Sequence, residues 1–333
     1  MSAVHGGPDA MGVPLYDFST NSNACGPCPQ VVAALHACDA RHYPDPAYTE
    51  LRQQLADFHR VDAWRIVLAA SASEFIHRAT AWVVRGGART VSVPLHAYGD
   101  YAMAARAWGL EVVHQPSVAA LAWACEPSSP LGLGQTEWTH AVTPATTRVL
   151  DCAYAPLRLS GTPTLLEAQR NSLWQLWTPN KALGLTGVRG AYAIAPAENL
   201  ARTRDVVGAL NSMCPSWPLG VHAVAMLRAW VQVDVQDWLA QSRETLRHWK
   251  QRQLGMLEGL GWTCLPSETN FFVARPLGTS CDLAAALAHL RSAGIKLRDA
   301  TSFGLPDHVR VGVLPPVAQD ALACSWNLYQ ENR

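Results

Sequence analysis

Apolar positions along the chain follow two rhythms. From about residue 30 to residue 195, short β-rich runs alternate with longer segments whose apolar residues recur every three or four positions. The runs are Arg65 to Ala69, Thr90 to Val93, Leu121 to Cys125, Arg148 to Cys152, Ser172 to Trp177 and Ala191 to Ala195. The longer segments include Tyr48 to Phe58, Glu74 to Val84 and Tyr98 to Trp108. Buried strands and amphipathic helices leave these two signatures, so an α/β fold with helices packed on a mostly parallel sheet is predicted. After Pro218, a proline-free amphipathic stretch from Val221 to Leu257 predicts one long connecting helix. An extended segment at Asn270 to Ala274, a helix at Leu283 to Ala293, strands at Ile295 to Arg298 and Val309 to Val313, and a closing helix predict a smaller α+β unit. With no internal repeat or low-complexity linker, the expected organisation is an arm over 1–29, a large domain over 30–218, and a connecting helix with a small domain over 219–333. The two lobes should close around a cleft.

Composition narrows the class of partner. The 333 residues are 49% hydrophobic and 16% charged, with 13 Trp, which is too apolar for a disordered chain. Lys plus Arg and Asp plus Glu balance at 26 each, leaving no broad positive field for a nucleic-acid backbone or an anionic membrane. No apolar run approaches the length of a membrane span, and the opening residues lack a charged and then apolar leader. A cytoplasmic protein acting on a small molecule is expected. The nine cysteines, without regular spacing, are expected to be reduced and mostly buried, with no metal site.

Lys181, Lys250 and Lys296 are the only lysines, so arginine supplies every other basic side chain. Arginine stays protonated and cannot serve as a nucleophilic amine, which makes each lysine a candidate for chemistry. Lys250 reads as an exposed helix position and Lys296 as a strand edge. Lys181 follows an apolar strand within Thr178-Pro179-Asn180-Lys181-Ala182-Leu183-Gly184-Leu185-Thr186-Gly187-Val188-Arg189. An amine there can condense with a cofactor aldehyde, while Thr178 and Arg189 can clamp the cofactor's phosphate. Asp151 stands at the carboxyl end of a strand, where open α/β sheets hold ligands, although a turn cap is the competing reading. Ser71-Ala72-Ser73-Glu74 opens a helix, so its backbone amides suit a phosphate and an ordinary N-cap alike. Cys25-Gly26-Pro27-Cys28 has the spacing of a redox dithiol, but its flanks read as a loop entering a helix rather than a strand end.

Taken in order along almost the whole chain, these motifs resemble fold-type I pyridoxal-phosphate enzymes. Within that class the chain is similar to the histidinol-phosphate aminotransferase and cobalamin-pathway threonine-phosphate decarboxylase families. His5-Gly6-Gly7 and Asp17 to Asn23 resemble the amino-terminal arm of the decarboxylase branch, with His5, Gly6 and Asn23 near the substrate. The resemblance implies a large domain with a seven-stranded, mostly parallel sheet and pyridoxal 5'-phosphate as cofactor. It implies that Lys181 carries the cofactor as a Schiff base and then shuttles a proton. By the same likeness Asp151 keeps the pyridine nitrogen protonated, Tyr154 bonds the ring hydroxyl, and Tyr98 stacks on the ring. Ser71, Ala72, Ser73, Thr178 and Arg189 would hold its phosphate. Tyr43 would reach the phosphate of a neighbouring subunit, which implies a homodimer, and Arg310 would grip a substrate carboxylate.

Two positions depart from the family pattern. Glu126-Pro127-Ser128-Ser129-Pro130-Leu131-Gly132 places Ser129 where an asparagine usually meets the cofactor hydroxyl. A second family arginine, eleven residues after Arg310, is Ala321 here, with Arg158 and Arg298 placed to compensate. The expected activity is therefore an aminotransferase acting on a small, unphosphorylated amino acid or amine. A decarboxylase on the same scaffold and a non-catalytic binding protein are the alternatives.

Overall fold

The computed structural model describes residues 6–135, 146–276 and 282–331. The chain begins with β1 (Tyr16–Asp17), α1 (Pro29–His36) and α2 (Thr49–His59). Strands and helices then alternate through β2 (Ile66–Ala69), α3 (Ala72–Arg85), β3 (Thr90–Ser92), α4 (Gly99–Ala107) and β4 (Glu111–Val113). The run continues with β5 (Leu121–Cys125), β6 (Thr147–Asp151), α5 (Glu167–Arg170), β7 (Trp174–Trp177), β8 (Ala191–Ile194) and α6 (Leu200–Ser212). The rest comprises α7 (Val221–Trp230), α8 (Val233–Gly259), β9 (Thr263–Cys264), β10 (Phe271–Arg275), α9 (Leu283–Ser292), β11 (Ile295–Lys296), β12 (Arg298–Asp299), β13 (Val309–Gly312) and α10 (Pro316–Glu331).

The seven-stranded sheet has the order β2-β8-β7-β6-β5-β3-β4, with β8 antiparallel to both neighbours and the other pairs parallel. Every residue of β5 is buried, as a near-continuous apolar strand covered on both faces requires. One face packs on α3, α4 and α6, while the other faces α1, α2, α7 and α8. Parallel pairing brings Cys125, Asp151 and Trp177 to the same edge of the sheet, so the loops that follow them meet there. A four-stranded antiparallel sheet, β12-β13-β10-β9, stands beside this edge. Tyr16 and Asp17 pair in parallel with Ile295 and Lys296, tying the amino-terminal arm to the carboxyl-terminal region.

The expected single helix over Val221 to Leu257 is two helices. Gln232 is extended (φ −77°, ψ 145°) and starts α8. No proline marks the break; the β-branched cluster Val231, Val233 and Val235 weakens the helix there. Lys250 is also corrected. It is buried, and its Nζ donates to the carbonyls of Ser267 (2.6 Å) and Thr269 (2.8 Å). Leu246, Lys250, Gln253 and Leu257 form one buried stripe of α8 at helical spacing, and burial pulls the Lys250 amine down to about 8. The expectation that most cysteines are buried also fails. Among the described residues Cys28, Cys125 and Cys152 are buried, Cys25, Cys38, Cys214 and Cys264 are half-buried, and Cys324 is exposed, all as free thiols. Burial pushes the thiols of Cys25 and Cys28 up, the opposite of what a reactive dithiol needs. Among the described residues no helix is long and apolar enough to cross a membrane.

His59, at the end of α2, lies against Trp177 and Tyr192, with its Nε2 2.7 Å from the Tyr192 hydroxyl. That hydroxyl accepts from Trp230 Nε1 and so donates its own proton to a neutral imidazole. Burial, helped by the charge of Arg170, lowers the His59 pKa from 6.5 to about 4. Between these values the unfolded chain binds the extra proton, so stability rises with pH through this window and is lost on acidification. The gap is worth about 3 kcal/mol. Thermal melts of wild type and His59→Gln between pH 7 and pH 4 should diverge, with the variant losing less of its Tm; parallel curves would remove His59 from the acid response.

Candidate active site

The loops after β5, β6 and β7 open on a cavity of about 770 Å³. Asp151, the last residue of β6, is buried in its wall. Its Oδ2 accepts from the Tyr101 hydroxyl at 2.6 Å and its Oδ1 from the backbone N–H of Ala153 at 2.9 Å. Burial raises the Asp151 pKa, while those two hydrogen bonds and the charge of Lys181 oppose the rise. Tyr101 is held in turn, its ring stacked on Trp123 with centroids 4.9 Å apart and planes 8° from parallel.

Lys181 sits in the turn after β7, its Nζ 5.4 Å from the centroid of the Tyr154 ring. Tyr154 is buried, packs edge-on against Phe271, and accepts at its hydroxyl from Asn21 Nδ2. The amino-terminal arm fixes the lysine turn through its backbone. Asn23 N–H donates to the Lys181 carbonyl and Cys28 N–H to the Leu183 carbonyl, both at 2.9 Å. The two chains approach so closely that a Cβ at Gly26 would sit 2.8 Å from the Gly184 Cα, which only glycine permits. The Cys25-to-Cys28 segment is thus the docking edge of the arm.

At the start of α3, Ser71 Oγ accepts from the Glu74 N–H, leaving amides of the first turn facing the cavity beside Ser73. Ser73 Oγ and the Tyr98 hydroxyl both donate to Asp100 Oδ2, which fixes the Tyr98 ring at the cavity wall. Across the cavity Arg310, from β13, donates from Nη1 to Ser129 Oγ (3.1 Å) and from Nη2 to the Ser19 carbonyl (2.9 Å). Burial lowers its pKa, yet an arginine so buried keeps its charge. Arg106, Arg189 and Arg298 also line this space, so cations exceed the single carboxylate of Asp151 and the cavity suits anionic ligands.

Of the residues singled out in the sequence, Gly6, Ser71, Ala72, Ser73, Tyr98, Ser129, Asp151, Tyr154, Thr178, Lys181, Arg189 and Arg310 line one cavity. His5 lies outside the described residues. Asn23 is corrected: its side chain serves the arm, donating to the Ala182 carbonyl and accepting from the Cys25 N–H, and Asn21 faces the cavity instead. Tyr43 is exposed and stacks on Trp217, away from this cavity. Arg158 cannot supply the cavity with charge, because Glu126 and Glu268 hold it elsewhere. Position 321 lies on α10 and packs against the core, so the alanine there takes no charge from the cavity. Asn180, Arg106 and Tyr101 were not foreseen as site residues. Tyr101 had a signal, falling one helical turn after Tyr98.

Buried polar atoms without partners gather here. Asn21 Oδ1, Thr178 Oγ1, Asn180 Oδ1 and Arg310 Nε are shielded from water and make no hydrogen bond among the described residues, and all four side chains line the cavity. Such groups call for a polar ligand. A phosphate-bearing, ring-shaped cofactor with an aldehyde fits this donor set: an amide cradle with Thr178 and Arg189 at one end, Asp151 deep in the wall, and the Lys181 amine beside the space.

Residues 147–324, more than half of the chain, match the family model of aminotransferase class I and II. Histidinol-phosphate aminotransferase of Paramagnetospirillum magneticum is 30% identical over 330 residues, spanning 90% of this chain and 87% of that protein. The Jannaschia sp. protein of the same name is 28% identical over 324 residues, with 90% and 87% covered. Among solved structures, histidinol-phosphate aminotransferase from Sinorhizobium meliloti in complex with pyridoxal-5'-phosphate aligns with a TM-score of 0.85 at 22% identity, covering 100% of this chain and 96% of that one. L-threonine-O-3-phosphate decarboxylase from Porphyromonas gingivalis aligns at 0.69 and 24% identity, covering 91% and 94%. Sequence and architecture therefore agree that the chain belongs to the aminotransferase class I and II family, as a pyridoxal-phosphate-dependent enzyme of fold type I.

Proposed function

We propose that the protein transfers an amino group to and from a small amino compound carrying an anionic group. The observation that carries this reading is one cavity in which a lysine amine, a desolvated carboxylate and an arginine with a free buried donor face the same space. Bound pyridoxal phosphate supplies an electrophilic aldehyde and an electron-poor ring that stabilises negative charge at the substrate's α-carbon. Ser71, Ala72, Ser73, Thr178 and Arg189 would hold its phosphate. Asp151 would hold the ring nitrogen, with Tyr101 fixing the carboxylate's direction. Tyr154 would hold the ring hydroxyl, and Tyr98 would lie against the ring. Ser129, whose hydroxyl already accepts from Arg310, joins the substrate-binding wall rather than replacing the family's asparagine.

Lys181 Nζ moves the proton: its flexible stem reaches the space above Tyr154, and an amine can take and return a proton where arginine cannot. Arg310 grips the substrate's anionic oxygens through its remaining donors, Nε and the second N–H of each Nη. Arg106 and Arg298 add positive charge, which favours a phosphorylated amine such as the substrate named for the relatives over the plain substrate expected from the sequence. The protein acts as a homodimer, with Tyr43, exposed and stacked on Trp217, presented to the neighbouring subunit. Domain boundaries fall near residues 29 and 218. Decarboxylation stands as a second reading because Gly6, from the arm that resembles the decarboxylase branch, lines the cavity. A side chain there would collide with the Ser19 carbonyl.

Three measurements test this proposal. Borohydride reduction of the holoenzyme followed by peptide mapping should place the label on Lys181 alone. A label on Lys250 or Lys296, or none, would leave only a binding protein. Asp151→Ala should keep cofactor in part while kcat falls by roughly 10²–10³-fold, the scale of losing one aimed electrostatic partner, and near-normal turnover would refute its role. Steady-state kinetics with glutamate-derived keto acid as acceptor should favour histidinol phosphate over histidinol by about tenfold or more, without release of carbon dioxide. Carbon dioxide from threonine phosphate would instead select the decarboxylase.

A further inference from the structure

A second cavity, of about 320 Å³, lies on the opposite side of β6 and β7 from Lys181. Strand alternation separates the two spaces. Asp151 faces the first cavity, while its neighbours Leu150 and Cys152 face the second; Thr178 lines the first and Trp177 the second. Nothing in the proposed reaction uses this rear space.

Its flat walls are Phe58, Trp177 and Trp230. Three arginines face it against one carboxylate, Glu126. Arg158 is committed, since Glu126 pairs with it at 2.8 Å and Glu268 takes its other arm. Glu126 is committed too, accepting also from the Thr164 N–H at 2.6 Å. Arg170 and Arg243 remain. Arg170 has no carboxylate within ion-pair distance among the described residues, and its Nε is shielded from water without an acceptor. Arg243 donates to the Pro156 carbonyl at 3.3 Å and likewise meets no carboxylate among the described residues. Trp177 Nε1 is a further buried donor without a partner. His59 adds no charge, being neutral through its bond from Tyr192, and the buried Cys152 thiol is pushed up and stays protonated. The water-shielded groups left without partners, Arg170 Nε and Trp177 Nε1, are both donors, the surplus charge is positive, and the walls are aromatic. An acceptor-rich anion with a flat apolar body complements each of these features.

We propose that this rear cavity is a binding site for a small aromatic monocarboxylate, its carboxylate received by Arg170 with charge from Arg243 and its ring packed among Trp177, Trp230 and Phe58. The site is independent of the catalytic reading, because none of these residues belongs to the proposed cofactor or substrate machinery.

Isothermal titration calorimetry of the holoenzyme with 3-phenylpropionate tests it, with 3-phenylpropanol as the uncharged counterpart. Saturable binding with a Kd below about 1 mM is expected for the acid, with the alcohol at least about tenfold weaker. Arg170→Gln and Arg243→Gln should each weaken the acid by about tenfold while Tm and turnover stay at wild-type values. Arg310→Gln should leave the binding unchanged. Equal binding of acid and alcohol, or no saturable heat, would overturn the proposal. So would a loss in Arg310→Gln with none in the Arg170 and Arg243 variants, since the probe would then occupy the catalytic cavity. A failure confined to the rear variants leaves the labelling of Lys181 untouched, so the two proposals fail separately.

Discussion

A carboxylate held out of water at the end of a parallel strand is the constraint around which this molecule is arranged. Removing an ionised group from water is costly unless hydrogen bonds and an opposite charge replace the hydration. Asp151 has two such bonds, from the Tyr101 hydroxyl and the Ala153 amide, and they oppose but do not cancel the upward push of burial. What is still lacking is a cation bonded directly to the carboxylate, since both of its hydrogen bonds come from neutral groups and Lys181 acts on it only through space. A protonated pyridine nitrogen is such a cation, so the apoprotein's electrostatic deficit and the cofactor's electronic requirement answer each other. The surroundings serve this pairing: Trp123 pins the Tyr101 ring, and the parallel order β5, β6, β7 sets Asp151 between the loops that bring Ser129 and Lys181.

The cavity is completed from both ends of the chain. Gly26 and Gly184 allow the arm to lie backbone against backbone on the lysine turn, while Tyr16 and Asp17 extend the pairing toward Ile295 and Lys296. Asp9, paired with Arg291 and Lys296 and held well below the usual carboxylate range by them, anchors the arm's far end. Arg310 reports on this assembly directly, since one of its nitrogens is bonded to the Ser19 carbonyl of the arm. Loss of arm docking would therefore free an anion-gripping residue as well as open a wall.

Strand positions and the lysine turn were readable because they rest on local patterns: apolar runs at the right length, and a scarce residue type in a glycine-punctuated turn. Leu121–Cys125 was read with its observed limits, and the other runs of the sheet differ by one or two residues at one end or, for Arg148 to Cys152, by one at both. Edge strand Glu111–Val113, three residues long and partly exposed, carries too little apolar signal to be seen alone. The break before α8 escaped because a helix can end on a change of one residue's ψ without proline or glycine. Asn23 and Asn21 exchanged roles because two asparagines two residues apart in an irregular arm carry no periodicity that says which one points inward. Position 321 shows a related limit: a count from Arg310 fixes distance along the chain, whereas the turn into α10 decides which way position 321 faces.

The three lysines bring out a property of the surface. Lys250 is buried between two carbonyls, Lys296 is engaged by Asp9 and Gly7, and Lys181 stands in the cavity, so no lysine side chain is free in solvent. Aldehydes condense with neutral amines, and arginine offers none. A protein whose outer positive charge is almost wholly guanidinium gives a reactive aldehyde no free lysine amine outside the cavity. Such a surface limits attachment of cofactor or sugar aldehydes through lysine side chains and leaves Lys181 as the lysine that faces an open cavity.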